Sequence, residues 1–329
     1  MIRLFSCALI MSGLLVADAS AAAPDSGVAF FGGSSNHDAT VLLDGREVGT
    51  IAKLKYGDPV PRVDVAAAPG VHTLGYRLGD KAPAELELTV RAGEIAVVGM
   101  SGRAPSLLGR VEAGPAPGPG AEAKLTIVSH EGDLRVAVNG EKGVIKVPKA
   151  KGDVPARVTT TLPAGIVLLG SSFASGPWGS RDAAVRLEPG QETVLRLDPF
   201  HVERLDAAAA KLTRIEVARW TPSVVLVVDG VNTGLLPEAK GERSYPPAVF
   251  QARPGTLAVG VNGSFQKLSD ATLDAAAGER LVIAIDGGTL KVERREAPAA
   301  SPAPVLDAPP KRPLLRRPTR PVKGRELRR

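Results

Sequence analysis

The 329-residue chain is 44% hydrophobic and 23% charged, with four histidines, one cysteine and a formal net charge of +6. That apolar fraction supports packed cores and excludes a wholly disordered chain, while the lone cysteine excludes a disulfide framework. The charge is segregated: the last 19 residues, Lys311 to Arg329, sum to +8, so residues 1–310 sum to −2 and the basic pI describes a tail, not a body.

Taken in order, Met1-Ile2-Arg3 is positive, Leu4 to Val16 is apolar, and Ala19-Ser20-Ala21 supplies small residues for cleavage. This is the pattern of a signal peptide over residues 1–22, cut after Ala21 or Ala22. The run is shorter than the ~20 residues a membrane span needs. No later segment is apolar enough to span, so the mature chain is expected in the periplasm or at the cell surface, not membrane-spanning. Cys7 falls in the leader, which leaves the mature protein to be held by apolar cores alone.

An apolar run ending in a turn pair then occurs three times: Thr40-Val41-Leu42-Leu43-Asp44-Gly45, Val136-Ala137-Val138-Asn139-Gly140 and Leu226-Val227-Val228-Asp229-Gly230. Asp-Gly and Asn-Gly supply the positive φ angles of a tight hairpin. Fifteen residues before each turn glycine stands an apolar residue (Phe30, Leu125, Ile215), and 25 after it a second glycine (Gly70, Gly165, Gly255). A third follows at Gly93, Gly190 and Gly278. Around them, apolar pairs such as Val41 and Leu43, Val167 and Leu169, or Leu257 and Val259 recur with period two, as in strands with one buried face. The expected fold is therefore all-β, with three tandem antiparallel β-sandwich modules at 28–102, 123–198 and 213–296. Residues 103–122 hold Gly114-Pro115-Ala116-Pro117-Gly118-Pro119-Gly120, which predicts a Pro/Gly linker and a hinge between the first two modules. Residues 199–212 contain Ala207 to Ala210 and predict a short helical linker. Residues 297–329, rich in Pro and then Arg, predict a disordered tail.

Chemistry-bearing patterns are sparse. Gly99-Met100-Ser101-Gly102 lacks the nucleophile-elbow pattern, and Asp198-x-x-His201 has acid–base spacing without an accompanying nucleophile block. His37, His72, His130 and His201 are isolated, with no metal-ligand spacing, and the glycines sit between strands, not before a helix that would cradle phosphate. Neither catalytic residues, nor a metal, nor any cofactor is expected. With aromatics at only 4%, Trp178 in Ser175-Gly176-Pro177-Trp178-Gly179-Ser180 is the best single ligand contact, weighed against a tryptophan covering the end of its own sandwich. The tail offers polyanion attraction through Lys311, Arg312, Arg316, Arg317, Arg320, Lys323, Arg325, Arg328 and Arg329. The alternative for that tail is a solubilising spacer. Export argues against nucleic acid as the partner.

The module pattern, with Ala92-Gly93-Glu94 and Ala277-Gly278-Glu279 leading a Val-rich closing strand, resembles PEGA-type repeats of bacterial surface proteins. Gly241-Glu242-Arg243 before Pro246-Pro247, then Lys267-Leu268-Ser269-Asp270 and Gly278-Glu279, is similar to the C-terminal sandwich of the alginate-biosynthesis F family; Leu187-Glu188-Pro189-Gly190 before Val194 matches it more loosely. That resemblance implies a non-enzymatic periplasmic accessory of exopolysaccharide O-acetylation or export. It would work through envelope proteins of a polysaccharide-modifying complex and an anionic polysaccharide. This chain departs from the family in having three modules and a basic tail. The alternative is a cell-envelope surface or adhesion scaffold of PEGA-like repeats.

Overall fold

A computed structural model describes residues 25–32, 37–53, 60–101, 104–130, 134–139, 144–151, 154–173, 181–198, 201–220, 224–236, 247–263 and 267–297. They form 24 strands in three sets of eight. The first set is β1 (Gly27–Phe31), β2 (Ala39–Leu43), β3 (Arg46–Ile51), β4 (Arg62–Ala66), β5 (Gly70–Leu78), β6 (Ala84–Val90), β7 (Glu94–Ser101) and β8 (Ala104–Glu112). The second is β9 (Glu122–Ser129), β10 (Leu134–Val138), β11 (Ile145–Val147), β12 (Ala156–Pro163), β13 (Gly165–Phe173), β14 (Arg181–Leu187), β15 (Glu192–Asp198) and β16 (His201–Arg204). The third is β17 (Thr213–Arg219), β18 (Val224–Val228), β19 (Val231–Leu236), β20 (Ala248–Ala252), β21 (Gly255–Asn262), β22 (Lys267–Ala275), β23 (Arg280–Asp286) and β24 (Thr289–Glu296).

Each set builds the same two-sheet sandwich. In strand order within a set, one sheet runs fourth-first-seventh-eighth and the other third-second-fifth-sixth. The first and seventh strands pair in parallel in all three modules, and the other pairings inside each module are antiparallel. The repeat therefore extends to topology. Phe30, Leu125 and Ile215 are each fully buried at the centre of their module's core. Gly70, Gly165 and Gly255 all take positive φ, as do Gly93, Gly190 and Gly278 at 69°, 71° and 75°, which explains the fixed offsets: glycine adopts such backbone at no steric cost.

Two linker expectations are corrected. Residues 104–112 are not linker but β8, whose Pro105, Leu107, Gly109 and Val111 are buried and which completes the first module's sheet against β7. Residues 201–204 are a strand as well, because Val202 packs into the cores of modules two and three at once. Among the described residues of 199–212, only Ala207–Lys211 is helical, one 3₁₀ turn capped by Asp206, since so short a polyalanine run cannot repay helix nucleation.

The predicted hinge is overturned too. The outer face of the β1–β7–β8 layer, with Ala29, Phe31, Ile95, Val97 and Val111, packs on Ile166, Leu168 and Ala184 of module two to make a fourth apolar cluster. The Pro/Gly segment is tied to that joint, with Arg186 donating to the Pro115 carbonyl. Modules two and three share one eight-stranded sheet, β12-β9-β15-β16-β20-β17-β23-β24, continued by parallel pairing of β16 with β20. Module one also meets module three: Arg91 pairs with Asp229 at 2.9 Å, Leu107 lies against Gly230, and Val231 packs on the core cluster of module one. Each module thus touches the other two.

Candidate functional site

The repeated turn residue is a built feature. Asp44, Asn139 and Asp229 hold φ of 51°, 48° and 50°. Each side-chain Oδ1 accepts from the backbone N–H of the residue 29 positions later, Thr73, Leu168 and Ala258, at 2.9, 2.8 and 2.9 Å. Each turn N–H donates to the carbonyl of that same residue at 2.7 to 2.8 Å. An amide or carboxylate oxygen on a left-handed turn residue thus clamps the hairpin of the second and third strands to the fifth.

The three clamps differ in what they do with their remaining atoms. The Asp229 carboxylate takes Arg91, and its carbonyl takes Arg110 Nε at 3.2 Å; the Asn139 carbonyl accepts from Val60 N at 2.8 Å. Both turns therefore dock module one. In module one itself, Asp44 Oδ2 pairs with His72 Nδ1 at 2.8 Å, and His72 Nε2 lies 2.8 Å from the Ala68 carbonyl. Hydrogen bonding by His72, then by the Thr73 N–H, holds the Asp44 carboxyl below its ordinary value. The bond to Asp44, then that to Ala68, raises His72 above its own.

The densest set of charges crosses the eight-stranded sheet. From β15 to β24, Arg196 faces Glu203 at 3.6 Å, Glu203 faces Arg214 at 3.2 Å, Arg214 faces Glu216 at 2.8 Å, Glu216 faces Arg280 at 2.7 Å, and Arg280 faces Glu296 at 2.8 Å. Burial pushes the Glu216 carboxyl up, but Arg280 and then Arg214 outweigh it and hold the group below its ordinary value. The charges alternate along this ladder and neutralise one another.

Asp198 and His201 end this ladder as opposed residues of the β15–β16 hairpin, with Oδ1 and Nδ1 2.6 Å apart, and both are buried. Asp198 also takes Arg196 Nε at 3.0 Å. Their spacing in sequence is that of a cross-strand pair at the seam between modules two and three. Two open depressions lie on module three, one of about 370 Å³ lined by Gly255, Thr256, Asp274 and Glu279, the other of about 410 Å³ over β18, β21 and β22. Among the described residues no group of His, Cys, Asp and Glu is arranged to hold a metal, and no helix is long and apolar enough to cross a membrane.

Of the residues singled out from sequence, Trp178 and the nine tail cations lie outside the described residues, as do the leader and Gly241-Glu242-Arg243. The charge ladder went unread although its signal is present. Arg-x-Asp or Arg-x-Glu is an ion pair at 62–64, 186–188, 196–198, 204–206, 214–216 and 294–296, while at 110–112 Arg110 pairs instead with Glu94 across the sheet. Residues two apart on a strand share a face, so the pattern announces paired, not free, charge.

No family model matches the chain, and no curated protein matches it. Among solved structures, it is similar to the carbohydrate-binding module CBMbc (family CBM26) of Eubacterium rectale Amy13K, crystallised with maltoheptaose, at 12% identity over 53% of this chain and 98% of that one, with a TM-score of 0.20. The Bacillus anthracis TIE protein aligns at 10% identity over 79% of this chain and 50% of its own, with a TM-score of 0.19. The Bacteroides ovatus glucan-utilization protein SGBP-B, in complex with a mixed-linkage heptasaccharide, gives 11% identity, 79% and 60% coverage and a TM-score of 0.13. Superpositions this loose assign neither a family nor a ligand to this chain.

Proposed function

We propose that this protein is a non-catalytic component of the bacterial cell envelope, in which a rigid three-module β body carries a basic C-terminal segment to an anionic polysaccharide. Its setting is the modification or export of an exopolysaccharide, O-acetylation being the step the sequence resemblance suggests, beside envelope proteins of that machinery. The observation that carries this reading is the separation of charge. Residues 311–329 sum to +8, whereas the body sums to −2. The arginines on the broad sheet face are committed to Glu203, Glu216 and Glu296. A polyanion approaching the molecule finds the highest density of cationic residues along the sequence in the tail, and such contacts are long-ranged and screened by salt. Binding of the leader-free chain to alginate and to a neutral mixed-linkage glucan tests it. Retention by alginate at low salt, lost at high salt, with no retention by the glucan, is the expected result. Equal retention by both polymers, or by neither, removes the proposal.

A further inference from the structure

The outer edge of a module's fourth strand is used differently in each module. In module three that strand is β20, and β16 of the preceding module lies along it in parallel, with His201 opposite Val249 and Val202 opposite Phe250. Gln251 clamps the added strand, its Oε1 accepting from Arg204 N at 2.6 Å and its Nε2 donating to Arg204 O at 3.3 Å. In module one the strand is β4, whose approach is taken by module two through Val60 N to Asn139 O, and whose Arg62 and Asp64 guard it as an ion pair. In module two the strand is β12, and among the described residues no strand pairs with its outer edge.

That edge is long and regular. β12 matches β9 over eight consecutive residues without a bulge, from Ala156 opposite Ser129 to Pro163 opposite Glu122. Lys124 N bonds toward β15, so Leu125 and its partner Thr160 face each other, and alternation turns the N–H and C=O groups of Arg157, Thr159 and Thr161 outward. By their place relative to the buried residues Leu125 and Ile215, Thr159 and Thr161 stand where Val249 and Gln251 stand in module three, the two residues that receive β16. Short of Pro163 at its end, this edge is a run rich in β-branched residues with a single charge, Arg157, and so has little protection against strand addition.

The complementary strand is β24. It is the eighth strand of the last module, as β16 is of the second, and it terminates the broad sheet. Its Lys291-Val292-Glu293-Arg294 repeats the Val-Glu-Arg of His201-Val202-Glu203-Arg204. The charges on β16 do not prevent its pairing with β20, so those on β24 are no bar to a like contact.

We infer that β24 of one molecule adds in parallel to the outer edge of β12 of a second copy, repeating between chains the contact that β16 and β20 make within one. The contact is heterologous, so it links copies head to tail and does not close on a pair by itself. It is independent of the polymer-binding reading and needs no polysaccharide.

Sedimentation velocity of the leader-free chain, without polymer, is the first test: the weight-average mass is expected to rise with concentration. Thr161→Pro removes an outward N–H that the body does not use and is expected to abolish the rise while leaving the unfolding midpoint near that of the parent. Single-cysteine chains Thr161→Cys and Glu293→Cys, each carrying Cys7→Ser if the leader is retained, provide the second readout. Mixed under oxidising conditions they are expected to form the mixed disulfide faster than either forms its own dimer. A mass independent of concentration, an unchanged rise in the proline variant, or cross-linking dominated by either homodimer would each overturn the inference.

Discussion

Asn139 must supply two things at once, a backbone φ of 48° and an acceptor for the Leu168 N–H at 2.8 Å. Alanine supplies neither, since it disfavours the left-handed region and leaves the amide without its partner. Asn139→Ala is expected to lower the unfolding free energy by about 1–3 kcal/mol, read as a shift in denaturant midpoint at constant slope. Asn139→Asp keeps the acceptor and is expected to stay near the parent. At the equivalent turn of module one, the Asp44–His72 pair links stability to pH. The raised value of His72 means that its contribution is complete below the usual 6.5 and is lost as pH climbs through the raised value. The lowered value of Asp44 means that its contribution is complete above 3.8 and is lost as pH falls through the lowered value. An NMR titration of the His72 ring should have its midpoint above 6.5 in the parent and move down in Asp44→Asn. An unmoved midpoint would mean that the carboxylate is not what raises it.

Among the elements, β8 makes the joint between modules one and two. A Cβ on Gly109 would stand 2.7 Å from the Ala184 Cβ, so Gly109→Leu must push the two modules apart. In the parent, the 114–120 segment is held by Arg186 and is expected to resist limited proteolysis; in Gly109→Leu it is expected to become the first site of cleavage. Equal rates would show that the apolar cluster does not hold the joint. This element also marks how far the sequence could be read. The strand and turn scheme was legible because positive-φ glycines and buried alternating residues are local demands, met at the same offsets in three places. The joints were not, because Phe31, Ile95 and Ile166 are apolar residues on outward faces, and nothing local says which outward face meets which. Pro115 reads as part of a free linker for the same reason: its partner Arg186 is 71 residues away. For the candidate site, the tail cations are visible as composition, while the pairing of the body's arginines was available in the Arg-x-acid spacing and was missed.

For the whole molecule, a body whose modules all touch is a fixed platform, and the sequence concentrates the positive charge at one end of the chain. Anionic polymer binding should then belong to the tail and not to the sandwiches. Two chains separate these parts: the leader-free protein and the same protein ended at Pro310. Their co-sedimentation with alginate, over a series of salt concentrations, tests this most directly. Binding by the longer chain that falls steeply with salt, together with loss of most binding in the shorter one, is the predicted result. Undiminished binding by the chain ended at Pro310 would place the contact on the body and contradict the account.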